Sequence, residues 1–187
     1  MKLKKNFIKA VIACLLLSLS TQARGVIPRL HVDGNQIKDP AGNVVVLRGV
    51  SLIDLGCAEI YEGGAINMIN RLTDKNDAEG NSPGWYTKII KIPIFPVDSL
   101  VQSPFPFDPN DANGNFYNNL LRPVVDYCAQ KDVYAVINWL YNANTYDHNE
   151  TTTQFWEYMA PRFAGDNHVI FELFCEPINT IGSDTDN

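Results

Sequence analysis

The sequence predicts an α/β fold built on a parallel sheet. Two observations carry this. Four short apolar runs occupy residues 45–52, 88–95, 133–140 and 168–174, and longer helical stretches alternate with them. Strands that read as nearly continuous apolar runs are buried on both faces. Helices between such strands imply right-handed parallel crossovers. The pattern allows both a doubly wound open sheet and a barrel. No glycine-rich phosphate loop follows any of the four runs, which weighs against a nucleotide-binding sheet.

The elements follow in order. Lys2, Lys4, Lys5 and Lys9 make a positive start, and residues 10–19 form an apolar run. At about ten residues the run suits a signal-peptide core and is too short to span a bilayer as a helix. Thr21-Gln22-Ala23 offers a small-residue cleavage site. Residues 1–23 are therefore expected to be a secretory signal, leaving residues 24–187 as one secreted, extracellular domain with no membrane association after cleavage. Cys14, followed by three leucines, is poorly placed for lipid attachment. A small hairpin is expected next, pairing residues 30–32 with residues 44–47. Asp33-Gly34-Asn35 and Asp39-Pro40-Ala41-Gly42-Asn43 supply turn signals between them.

Beyond the first long run a helix is expected around residues 65–72, then a polar loop over residues 74–84. Leu120, Leu121, Val124, Val125 and Cys128 recur on one helical face. A later helix is expected to open at Thr151, with Gln154 three residues on in capping-box spacing. Its apolar face is Phe155, Trp156, Met159, Ala160 and Phe163, and Gly165 is the stop signal. There is no internal repeat and no low-complexity stretch.

The chain carries a formal net charge of −6. Removing residues 1–23 takes away four lysines and no acid, leaving 11 basic and 21 acidic residues. An acidic surface argues against nucleic acid and anionic membrane as partners and is compatible with a neutral polysaccharide, though ordinary solubility explains it equally well. Beyond the signal the cysteines are Cys57, Cys128 and Cys175, an odd number at spacings that fit no metal site. His31, His148 and His168 are likewise not spaced as ligands. No metal or cofactor is expected.

In parallel α/β folds function collects at the C-terminal ends of strands. Ser51, Asp54 and Cys57 follow the first run. Pro96 and Asp98 follow the second, with Lys91 inside it. Trp139, Tyr141, Asn142 and Asn144 close the third, and Glu176 follows the fourth. The last strand is apolar except for Glu172, and Pro177 prevents its continuation as a central strand. A carboxylate at such a mouth is partly desolvated, which raises its pKa as a general acid requires. A solvated loop glutamate or a strand-end ion pair would account for the same position.

The segment Val169-Ile170-Phe171-Glu172-Leu173-Phe174-Cys175-Glu176-Pro177 resembles the strand-four motif of glycoside hydrolase family 5, the cellulase family. The helix over residues 151–165, Leu47-Arg48-Gly49-Val50 and Lys91-Ile92-Pro93-Ile94 are also similar to that family. The resemblance covers residues 28–180. It implies a (β/α)8 TIM barrel, of which about the first four β/α units are present. It implies a retaining endo-β-1,4-glycanase acting on a β-glucan such as cellulose, with Glu176 as the acid/base. The second carboxylate, the nucleophile, would lie on strand seven, in the C-terminal half of the barrel, and no residue here takes that role. Lys91, Trp139, Tyr141 and Cys175 are the expected substrate-binding residues.

The sequence departs from the family pattern at three places. Lys91 stands where arginine is usual, Leu140 where histidine follows tryptophan, and Cys175 where asparagine precedes the acid/base. Lysine lacks the bidentate fork, leucine makes no hydrogen bond, and a thiol is a poor replacement for an amide on a sugar hydroxyl. A catalytically inactive, carbohydrate-binding relative is therefore the alternative reading. Trp139, Tyr141, Tyr146, Phe95 and Phe105 could offer flat faces to pyranose rings, or simply pack. Asn149-Glu150-Thr151 matches a glycosylation acceptor, and helix capping by Thr151 explains it equally well. Cys175 as a nucleophile lacks a histidine nearby in sequence.

Overall fold

The computed structural model describes residues 27–61, 63–74, 84–97, 103–111, 113–141 and 149–175. A two-stranded hairpin, β1 (His31–Asp33) and β2 (Gln36–Lys38), precedes a four-stranded parallel sheet in the order β3 (Gly49–Ser51), β4 (Ile89–Ile94), β5 (Tyr134–Trp139), β6 (Val169–Glu172). Between β3 and β4 lie α1 (Leu55–Tyr61) and α2 (Ala65–Thr73). Between β4 and β5 lies α3, a wide π turn over Phe116–Leu121 running into an α-helix over Arg122–Gln130. Helix α4 (Asn149–Phe163) joins β5 to β6. Sequential strands are neighbours and each is parallel to the last, which is the first half of a TIM barrel unrolled in order.

The core lies between the sheet and its helices. Ile90, Ile92 and Ile94 of β4 and Ala135, Ile137 and Trp139 of β5 alternate toward the helical layer. There they meet Ile69, Leu121, Val124, Val125, Cys128, Phe155, Met159 and Phe163. Strand alternation sends the intervening residues, Lys91 and Pro93 of β4 and Val136 and Asn138 of β5, to the opposite, concave face. The edge strands β3 and β6 are only half covered, whereas β4 and β5 are largely buried.

Gly49 is dictated by backbone approach. A Cβ there would lie 1.7 Å from the Ile89 carbonyl oxygen, so only glycine lets β3 pair with β4. In α3 the Arg122 N–H reaches the Tyr117 carbonyl, five residues back. That wide turn precedes Pro123, whose ring would otherwise crowd the carbonyl four residues before it.

Two expectations need correction. The partner of β1 is Gln36–Lys38 and not the run over residues 44–47, of which Val44 makes a single bridge to Lys38. The tight turn at Gly34-Asn35, with Gly34 at φ 61°, closes the hairpin first. The Asp39 carboxylate then shapes a second turn by accepting from the Ala41 and Asn43 N–H groups at 2.9 Å each. Helix α4 begins at Asn149, so Thr151 is inside the helix and no capping box forms there; Gln154 instead reaches Glu150 at 3.4 Å. Helix α1 was not anticipated. Asp54 starts it, its carboxylate accepting from the Cys57 N–H at 2.9 Å and from the Ser103 hydroxyl at 2.8 Å.

Candidate active site

The concave face holds a polar cluster. Lys91 projects from β4, and its Nζ donates to Glu172 Oε1 of β6 at 2.8 Å. The same Nζ lies 3.6 Å from Cys175 Sγ. Glu172 and Cys175 are three residues apart, and a straight strand would turn them to opposite faces. The strand ends at Glu172, and the Cys175 N–H then donates to the Trp139 carbonyl at 2.9 Å. That local shift swings the sulfur inward while Leu173 becomes exposed.

Burial pulls the Lys91 ammonium down, but the hydrogen bond to Glu172 and the attraction of Cys175 and Glu172 outweigh it and hold the group above the usual lysine value. The Lys91 and Glu172 side chains remain 27% and 36% exposed. A pair so placed contributes about 0–1 kcal/mol, so its importance is in orienting Lys91 rather than in stability.

Asn138 completes the layer. It faces the register neighbour Glu172 across β5 and β6. It is 0% exposed, and neither amide atom has a hydrogen-bond partner among the described residues. A buried amide without a partner costs about 2 kcal/mol or more, so this is an unusual group to leave in a strand.

The expected substrate-binding residues thus separate into two sets. Lys91 and Cys175 meet on the concave face. Trp139 does not join them. Its ring is 0% exposed, stacks on Phe155 at 4.1 Å and 19°, and meets the edge of Phe107 at 6.0 Å. Its Nε1–H donates to Thr152 Oγ1 at 3.1 Å. With its face and its donor both used inside the core, Trp139 packs in the helical layer and does not face the cluster. Tyr141 is buried against it, with centroids 6.2 Å apart. Phe95 is also buried. Phe105 is 49% exposed and lines a cavity of about 640 Å³ between α1, the loop after β4 and the start of α3. That cavity includes none of Lys91, Glu172 or Cys175. Glu176, Asp98, Asn142, Asn144, Tyr146 and His148 lie outside the described residues. Among the described residues no group of three or more His, Cys, Asp or Glu is placed to hold a metal ion.

Sequence reasoning passed over Glu172 and Asn138 as site residues. Both had a signal: each is the one polar residue inside an otherwise apolar strand.

Parallel strands carrying a charged cluster at their inner face are common to many enzymes, and fold alone does not choose among them. A family profile described as Cellulase (glycosyl hydrolase family 5) matches residues 41–185. The chain belongs to glycosyl hydrolase family 5. The cellulase/esterase CelE of Acetivibrio thermocellus is 28% identical over 185 residues, covering 89% of this chain and 22% of the relative. The solved structure of the cellulase Cel5C_n superposes with a TM-score of 0.59 at 23% identity, covering 84% of this chain and 46% of that one. The β-glucanase SdGluc5_26A of Saccharophagus degradans, solved with cellotetraose, gives a TM-score of 0.58 at 22% identity, covering 80% and 42%. These likenesses carry the barrel fold. The chain spans less than half of each of these solved family 5 structures and about a fifth of CelE.

Proposed function

We propose that this chain is the N-terminal half of the catalytic barrel of a secreted, retaining endo-β-1,4-glycanase, with residues 1–23 directing export. Glu176 is the acid/base in this reading. The observation that carries it is the polar cluster of Lys91, Asn138, Glu172 and Cys175 on the concave face, whose last member directly precedes Glu176. Glu176 would protonate the glycosidic oxygen while a second carboxylate, about 5–5.5 Å away, attacks the anomeric carbon. That nucleophile would come from the other half of the barrel. The chemistry calls for no cofactor. A family 5 relative holding cellotetraose supports a β-1,4-glucan as the class of substrate.

A second reading is favoured by a specific observation. The Lys91 ammonium is engaged internally by Glu172 and Cys175, and Leu140 and Cys175 replace hydrogen-bonding groups usual in the family. On that reading the chain binds β-glucan without cleaving it. Hydrolysis of a soluble β-glucan by the purified chain, beside its retardation in a gel containing the same glucan, separates the two. The half-barrel is expected to show no turnover. Turnover that Glu176→Gln abolishes would show that these residues hold a complete site.

A further inference from the structure

The three cysteines described here are all free thiols in different surroundings. Burial pushes the Cys128 thiol up to about 12. Burial and the Asp54 carboxylate push the Cys57 thiol up as well. Both are therefore poor sources of the thiolate that oxidants attack. Cys175 differs in its contacts: a lysine nitrogen lies 3.6 Å from its sulfur, and a carboxylate oxygen lies 2.8 Å from that nitrogen. No second thiol of the described residues is bonded to it. Asn138 supplies an independent feature of the same face, a buried amide whose two polar atoms have no partner among the described residues, beside Glu172 in the register. An amide in that state can hold a small oxygen-bearing molecule. Cys175 itself is 7% exposed, so little of the residue meets solvent.

We propose that Lys91 and Cys175 are an oxidative cross-linking pair, joined by a nitrogen–sulfur bond when the site meets hydrogen peroxide or an alkyl hydroperoxide. In the first step the sulfur attacks the peroxide. An S–O bond forms, the O–O bond breaks, the departing oxygen takes the thiol proton and leaves as water or an alcohol, and the sulfur is oxidised by two electrons to a sulfenic acid. In the second step Lys91 passes a proton to the Glu172 carboxylate, and the freed amine attacks the sulfur. The N–S bond forms, the S–O bond breaks, and the hydroxyl leaves as water with the second amine proton. The product is a sulfenamide, two hydrogens lighter than the reduced pair, and thiols reverse it. The bond removes the positive charge of Lys91 and ties β4 to the segment before Glu176. The proposal is independent of whether the chain cleaves or only binds glucan.

The test is peptide mapping of the purified chain after hydrogen peroxide, digested without reductant. The expected result is a peptide pair joined through Lys91 and Cys175, lighter by two hydrogens and released by dithiothreitol. Cys175→Ser and Lys91→Arg, both conservative in volume, should lack it, and Glu172→Gln should form it several-fold more slowly. Three results would overturn the proposal. One is Cys175 recovered as sulfinic or sulfonic acid with Lys91 unmodified. Another is quantitative trapping of the sulfenic acid by dimedone in the native chain. The third is the same mass loss persisting in Lys91→Arg, which would assign the nitrogen to the backbone.

Discussion

Replacing Trp139 by phenylalanine separates a packing residue from a sugar contact. The indole is 0% exposed, stacked on Phe155 at 4.1 Å, with Phe107 on its edge and its N–H on Thr152. The smaller ring keeps most of the stack. It loses the hydrogen bond to Thr152, about 1 kcal/mol. It also opens a cavity of a few heavy atoms, about 1 kcal/mol more at roughly 24 cal/mol per Å³. The sum, about 2 kcal/mol, corresponds to a fall in Tm of about 4–8 °C for a chain of this size. Urea and thermal denaturation followed by near-ultraviolet circular dichroism read this directly. Retardation in a β-glucan gel, measured at a temperature where both proteins are folded, should be unchanged. Unaltered stability with lost retardation would refute the argument, because it would require the indole face to meet ligand and not Phe155.

Two further outcomes follow from the sheet. Gly49→Ala places a Cβ against the Ile89 carbonyl and should destabilise by about 3 kcal/mol through loss of β3 pairing; denaturant midpoints check it, and a near-neutral result would contradict the pairing. The raised Lys91 pKa makes a small, signed contribution to pH dependence. Its stabilisation is fully present below the unfolded value of about 10.4 and is lost as pH rises through the higher folded value. The stability difference between the native chain and Lys91→Met should therefore shrink in alkali, from less than about 1 kcal/mol near neutrality, as urea midpoints across that range would show. A difference that stays flat would mean that the ion pair with Glu172 does not form.

The four parallel strands were legible because each is a short apolar run that the chain could only bury between two layers. Helix α2 and the apolar face of α3 were legible from periodicity, with Ile69, Val124, Val125 and Cys128 all reaching the core. Helix α1 was not, because its seven residues carry little periodicity and its start depends on the Asp54 carboxylate, which Ser103 also engages from a distant loop. The hairpin was misread because hydrophobicity favoured residues 44–47, while turn geometry at Gly34 selected the polar Gln36–Lys38. Hairpin register follows the turn first, and here the strand faces are exposed and exert little counterweight.

By itself the sequence determined the fold class, the family and the strand on which the expected acid/base residue follows, since these depend on apolar spacing and on a motif contiguous in the chain. Only the tertiary structure decided which face each strand-end residue takes. Trp139 and Lys91 sit on neighbouring strands and looked equivalent as candidates. Strand alternation sends the first into the helical layer and the second to the concave face, where Glu172 and Cys175 meet it. Which face a side chain takes depends on register and on the local shift after β6, and both are set by partners up to 84 residues away in the chain.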